Sequence, residues 1–318
     1  MFKLQETLRK SQNRKYFNGK TEDLSAYIPE GADLHNKCEL SFDQRMYLVL
    51  KGVALGDFAG QPYEAASLDY CKNLSQDLIY KKAKDCTDDT ILACATAVAI
   101  EERKQYAKLY REYAKRFENP LGGYGGRFTA WVYNNVESYS CGNGSAMRVG
   151  PCGCFDDARD VIAEAYKSAA CTHNHPEGIK GAIVTAVSIW MAFHDYAKED
   201  IAKYADRFYS DNFYSPMSSW SVMRESKYVQ GSPAVCQTTV PMAVSCFINT
   251  DCYENCVWEA IRFGWDTDTQ AAIAGSIAAA YYQLFNIESD AEWNKIKDRD
   301  YFSEVRKLIP GENLWNNK

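Results

Sequence analysis

Apolar side chains in the body of the chain recur every three to four residues rather than at alternate positions. From Phe42, the positions Met46, Val49, Leu50, Val53 and Ala54 trace one helical face. Ser41 or Asp43 is placed to cap that helix, and the Gly56, Gly60, Pro62 segment to end it. The same period predicts helices over 89–117, 127–134, 156–171, 178–197, 240–247, 253–263 and 268–285. Only 78–80 suggests a short strand, so the pattern specifies an all-α fold, a compact orthogonal globule of helices. The runs 90–100 and 270–285 carry no charge and are rich in small residues. They suit buried helices that pack closely, and they lack the roughly 20 strongly apolar residues of a membrane span.

Residues 1–40 are polar and irregular, with Pro29 and Gly31, and read as an N-terminal extension draped over a domain covering 41–318. The stretch 206–232, with its Ser, Tyr, Pro and Gly, reads as the longest loop, placed to fold over a cleft. At 318 residues and 46% hydrophobic content, the chain has ample material for a core. Its twelve cysteines are scattered through apolar stretches and loops, which indicates free thiols and a cytoplasmic location. Cys152 with Cys154, and Cys252 with Cys256, lack the further soft ligands of a zinc site. The first 20 residues have no apolar core for secretion. A net charge of -6 gives no footprint for tracking a nucleic-acid duplex.

Candidate chemistry begins with two acidic clusters, Thr87-Asp88-Asp89 and Asp266-Thr267-Asp268-Thr269, each placed before one of the uncharged helical runs. Capping and the helix dipole explain one oxygen at each terminus. They do not explain adjacent acids at 88 and 89 or alternating acids at 266 and 268. Such carboxylates repel one another unless solvated or shared by cations, and with hydroxyls beside them they form a hard oxygen ligand set. The clusters therefore read as two halves of one metal site.

Three more segments complete an ordered set: the stretch from Gly52 through Asp57 to Glu64, the turn Gly142-Asn143-Gly144 running on to Arg148, and Thr172-His173-Asn174-His175-Pro176. In this order, over about 44–283, the five segments resemble the ADP-ribosylglycohydrolase family. The resemblance implies a helical domain with a dinuclear metal cleft at helix N-termini. It implies two Mg2+ ions, with Mn2+ as a substitute, held by Thr87, Asp88, Asp89, Asp266, Asp268 and Thr269. Glu64 would be the mobile carboxylate that positions water, acting with Asp89 and Asp268. Gly142, Asn143, Gly144 and His173 would contact the substrate, an ADP-ribosylated protein, nucleic acid or small molecule, and the enzyme would act as a monomer.

Other residues have structural readings beside these. Arg148 is read as a structural salt-bridge partner in preference to a phosphate ligand, and His175 before Pro176 as a turn former. Asp57 is either a ligand orienter or a turn former. Trp265 stands where the family usually has glycine, and Cys86 where it often has an aromatic. A reader module that binds ADP-ribose without cleaving it, and a metal phosphohydrolase, are the alternatives.

Overall fold

The computed structural model describes residues 23–33, 38–209, 234–285, 289–310 and 314–315. Its longer helices are α1 (Phe42–Gly60), α2 (Asp88–Glu101), α3 (Tyr106–Arg116), α4 (Gly126–Asn134) and α5 (Ala158–Ala170). They continue with α6 (Pro176–Phe193), α7 (Lys198–Tyr209), α8 (Cys236–Ile248), α9 (Tyr253–Ile261) and α10 (Thr267–Tyr282). The fold is all-α. Outside these helices the described residues pair only in two isolated bridges, Thr87 with Leu121 and Gly142 with Val235. The strand suggested at 78–80 is instead the end of a 3-10 turn, Gln76–Leu78, followed by further turn residues.

The centre is the antiparallel pair α1 and α10, whose backbones touch. Gly52, Gly56 and Gly60, one helical turn apart, face Gly275, Ala271 and Thr267 in reverse order. A Cβ on Gly56 would lie 2.2 Å from the Ala271 carbonyl oxygen, and one on Gly52 would lie 2.5 Å from that of Gly275. Such an approach requires small residues at i and i+4 on both helices, supplied by Gly52, Gly56 and Gly60 on α1 and by the small-residue run of α10. Residues 267–280 of α10 are all buried, enclosed by α1, α6, α8 and α9. Gly56→Ala is therefore expected to destabilise by about 3 kcal/mol, the upper end for overpacking, because the obstacle is backbone. An unchanged urea midpoint would show that the helices have room to separate.

Several boundaries differ from the periodic reading. The expected helix over 89–117 is two helices, broken where Arg103 turns left-handed (φ 52°). Residues 101–105 are five consecutive polar side chains that no buried face accommodates, and α3 restarts with Tyr106, Leu109, Tyr110 and Tyr113 inward. Left-handed Asp195 and Gln283 likewise follow the ends of α6 and α10. Of the expected loop 206–232, residues 206–209 belong to α7 and the rest lie outside the described residues. The 3-10 turn Leu24–Tyr27 lies on α5 and α6, with Tyr27 stacked on Phe208 at 4.6 Å. All twelve cysteines are free thiols. No helix among the described residues is long and apolar enough to cross a membrane.

Candidate active site

The C-terminus of α1 meets the N-termini of α2 and α10, and this junction collects the acids. Asp57, fully buried in the last turn of α1, accepts hydrogen bonds from Thr87 N at 2.9 Å, Thr90 N at 3.1 Å and Thr90 Oγ1 at 2.5 Å. A side chain of one helix thus caps another, because α1 ends beside the orphan amides of α2. Even with these bonds, burial pushes the Asp57 pKa up to about 6. Thr87, the N-cap of α2, accepts from Asp89 N and donates to Asp89 Oδ2 at 3.2 Å.

Capping is therefore complete without Asp88 or the carboxylate of Asp89. Thr269 Oγ1 donates to Asp89 Oδ2 at 3.3 Å, joining the two helix starts, while Asp89 Oδ1 is buried with no hydrogen-bond partner. Asp266 occupies the N-cap position of α10 but makes no capping bond. Its Oδ2 accepts instead from Asn143 Nδ2 at 2.7 Å, and that amide also reaches Thr239 Oγ1 of α8 at 3.0 Å. Asp268 is buried, and its Oδ1 accepts from Thr269 N at 3.0 Å. Burial first, and neighbouring carboxylates second, push the pKa values of Asp88, Asp89 and Asp268 well above the usual range. Partial desolvation within the cleft and then Asp266 raise that of Glu64, whose side chain still reaches solvent.

These acids line a cleft of about 490 Å³, within the roughly 300–1,000 Å³ common for ligand sites. Glu64, Asp88, Asp89, Asp266, Asp268, Thr269, Gly142, Asn143, Gly144 and His173 all line it. Thr87 does not; it stands behind Asp89 as the cap. Exposed Glu64 lies against Gly122, where a Cβ would come 2.7 Å from Oε2 and where φ is +74°, so only glycine suits both demands.

Donors line the same cleft. Gly125, at the N-cap of α4, provides no capping side chain, and Cβ positions on Gly123, Gly125 and Gly126 would meet nothing within 4 Å. The glycines are thus not required by packing, and the start of α4, whose first residues line the cleft, has no side-chain cap. His173 lies beside the 142–144 turn: a Cβ on Gly144 would be 3.2 Å from its Nε2. Its Nδ1 pairs with Thr172 Oγ1 at 2.7 Å, and burial, then Arg148, hold its pKa well below the usual histidine value. The imidazole is neutral.

Arg148 is fully buried, with Nη2 donating to Ser168 O at 3.0 Å and Thr172 Oγ1 at 2.5 Å and the guanidinium 4.0 Å from the Tyr110 ring centre. It is an anchor, though through carbonyl, hydroxyl and ring rather than the salt bridge expected. It also lines the cleft, and its Nε and Nη1 have no hydrogen-bond partner. His175 caps α6 by accepting from Glu177 N at 3.1 Å, as a turn former should. Leu92, Tyr124, Arg127, Phe128, Ser140, Ala234 and Val235 also line the wall without having been singled out. The glycine density at 122–126 was the available signal for the Arg127 region.

Fold and site together define an all-helical protein with an acid-walled cleft between helix N-termini. The chain belongs to the ADP-ribosylglycohydrolase family, whose model matches residues 39–317. It is similar to the ADP-ribosylhydrolase ARH3 of Bos taurus and that of Homo sapiens, each 27% identical over 74% of this chain and 84% of the relative. An uncharacterized protein of Archaeoglobus fulgidus is 26% identical over 80% of this chain and 92% of its own length. A solved structure of an ADP-ribosylglycohydrolase-related protein complex shares the fold, with TM-score 0.62 and 20% identity over 86% of this chain and 98% of that one.

Proposed function

We propose that this protein hydrolyses the glycosidic bond between ADP-ribose and an acceptor, releasing ADP-ribose, with divalent magnesium or manganese. The observation that carries this reading is the mixed lining of one cleft, in which clustered carboxylates share the wall with a helix N-terminus, a neutral histidine and an under-bonded arginine. A ligand that joins sugar hydroxyls to a diphosphate matches that lining. Family membership supports the same reading.

The acids fit divalent cations. Asp89 Oδ1 is buried without a partner, and mutual repulsion among Asp88, Asp89, Asp266 and Asp268 is what a shared cation relieves. These four, with Thr269 and the hydroxyl of Thr87, would hold the ions. No three His, Cys, Asp or Glu side chains among the described residues already converge into a cage, so rotamer changes would complete it. Bound cations supply charge neutralisation and polarisation of substrate oxygens. Glu64, with its raised pKa, takes the proton from the attacking water, and the remaining negative wall stabilises oxocarbenium character at the anomeric carbon. Asn143 fixes the orientation of Asp266, and neutral His173 offers Nε2 to a polar edge of the ligand without adding charge.

The test incubates purified protein, with magnesium or with chelator, with peptides and DNA bearing ADP-ribose on arginine, serine or thymidine, and follows products by mass. Chelator-sensitive release of free ADP-ribose from one conjugate is expected. Binding of ADP-ribose without release from any conjugate would select a reader module, and release of phosphate would select a phosphohydrolase.

A further inference from the structure

Arg148 Nη2 uses both of its protons, donating to Ser168 O at 3.0 Å and to Thr172 Oγ1 at 2.5 Å. A guanidinium has donors only, so the Thr172 oxygen accepts in that bond and its own proton must go elsewhere. Thr172 is fully buried, and the other partner of its hydroxyl among the described residues is His173 Nδ1, at 2.7 Å. The order of donors follows: Arg148 gives to Thr172, and Thr172 gives to Nδ1. A ring nitrogen that accepts carries no proton, and a neutral imidazole has one, so the proton of His173 sits on Nε2. With the proton on Nδ1 instead, the Thr172 oxygen would meet two donors and its hydroxyl proton would be stranded in the interior, a state that buried polar groups avoid.

Both ends of this chain of bonds are held. Arg148 lies over the Tyr110 ring at 4.0 Å, and Tyr110 Oη pairs with Ser168 Oγ at 2.7 Å, which ties the ring to the residue whose carbonyl Arg148 also holds. At the other end, a Cβ on Gly178 would come 2.9 Å from His173 O and 2.6 Å from Ser140 O, so the start of α6 packs directly on both backbones. Nε2 has no hydrogen-bond partner among the described residues and lies 3.2 Å from a Cβ on Gly144 and 3.5 Å from one on Gly142. All three residues line the cleft. The two glycines therefore leave the Nε2 proton uncovered there.

We propose that Arg148 and Thr172 are positioning residues that set the tautomer of His173, making Nε2–H a fixed donor in the cleft that selects a hydrogen-bond acceptor on the ligand. The inference rests on the proposed function only in taking ADP-ribose as that ligand, whose phosphate and ribose oxygens and base nitrogens all accept. A group that can only donate would meet a donor at this place and leave both unpaired, which a buried site penalises. Arg148 thus serves the site through Thr172, without touching the ligand in this role.

The test is nitrogen NMR of protein labelled on its histidine rings, of which the chain has four, with His173→Gln identifying the resonances of His173. In ligand-free parent protein, the ring correlations should place the proton on Nε2 and show Nδ1 as an unprotonated, hydrogen-bonded nitrogen. Thr172→Val, which keeps the shape and removes the hydroxyl, should move the Nδ1 resonance, release a population protonated on Nδ1, and weaken ADP-ribose binding about five- to tenfold, while Thr172→Ser restores all three. A loss for ADP-ribose but not for adenosine would support the proposal with the accepted atom in the diphosphate or distal ribose, and an equal loss for adenosine would support it with that atom in the nucleoside. A proton on Nδ1 in the parent protein would overturn the proposal, as would an Nδ1 resonance that Thr172→Val leaves in place. Unchanged affinity in Thr172→Val would refute the selecting role. The parent spectrum decides the tautomer even if Thr172→Val does not fold. Parent protein with Nε2–H that releases no ADP-ribose from any conjugate would refute only the hydrolase reading.

Discussion

Asp89→Asn and Asp268→Asn are each expected to lower turnover by more than about 10³-fold, equivalent to about 4 kcal/mol of transition-state stabilisation. Both residues are buried in the cleft wall and neither is needed as a cap, so the loss should come with the fold intact. In chelator the variants should melt above the parent. The folded-state pKa values of Asp88, Asp89 and Asp268 lie well above the ordinary 3.8, and that of Asp57 rises to about 6. Ionisation therefore opposes folding. The penalty is absent below about pH 4, where the unfolded acids are also protonated, grows as pH rises, and is complete only above the folded values. Metal-free protein should accordingly lose heat stability from about pH 4 through pH 6, with Asp88, Asp89 and Asp268 extending the loss upward. Magnesium should flatten that dependence. Near-native turnover in either variant would move the chemistry away from this cluster, and a lower melting point in chelator would mean that the charges are already compensated.

Asp57→Ala is expected to cost about 2–4 kcal/mol and to lower turnover with it. The substitution strands Thr87 N, Thr90 N and Thr90 Oγ1 inside the protein, at about 1–3 kcal/mol for each unsatisfied group, and relief of a buried charge offsets part of this. Asp57→Asn keeps one accepting oxygen and should recover about half of the stability. Urea midpoints and kcat for the three proteins measure the effect. If Asp57→Ala unfolds like the parent, the start of α2 is held by something other than this carboxylate.

Much of the architecture was legible because it is written locally. The three-to-four residue period located the major helices, and the uncharged runs of small residues marked α2 and α10 as enclosed. The capping argument applied to Thr87 also stood up: its hydroxyl serves the helix and leaves two acids over. The period failed at Arg103, where five polar residues interrupt the apolar stripe and the chain turns before Tyr106 resumes it. The rest of the cleft lining was only partly legible. Nothing local says that the glycine-rich 122–126 stretch reaches Glu64 and lines the same cleft as the acids.

By itself the sequence determined an all-α fold, two acid-bearing helix starts and a row of glycines that permits one close helix pair. Each of these depends on residues within a turn or two of one another. Tertiary structure alone decided that Asp57 caps α2 rather than shaping its own helix end, and that Arg148 is anchored by Ser168, Thr172 and Tyr110. It also decided that Ala65 and Trp265 hold each other in a left-handed conformation. Those partners lie between 20 and 200 residues apart, so which donor meets which acceptor is fixed only when Gly52, Gly56 and Gly60 let α1 close on α10.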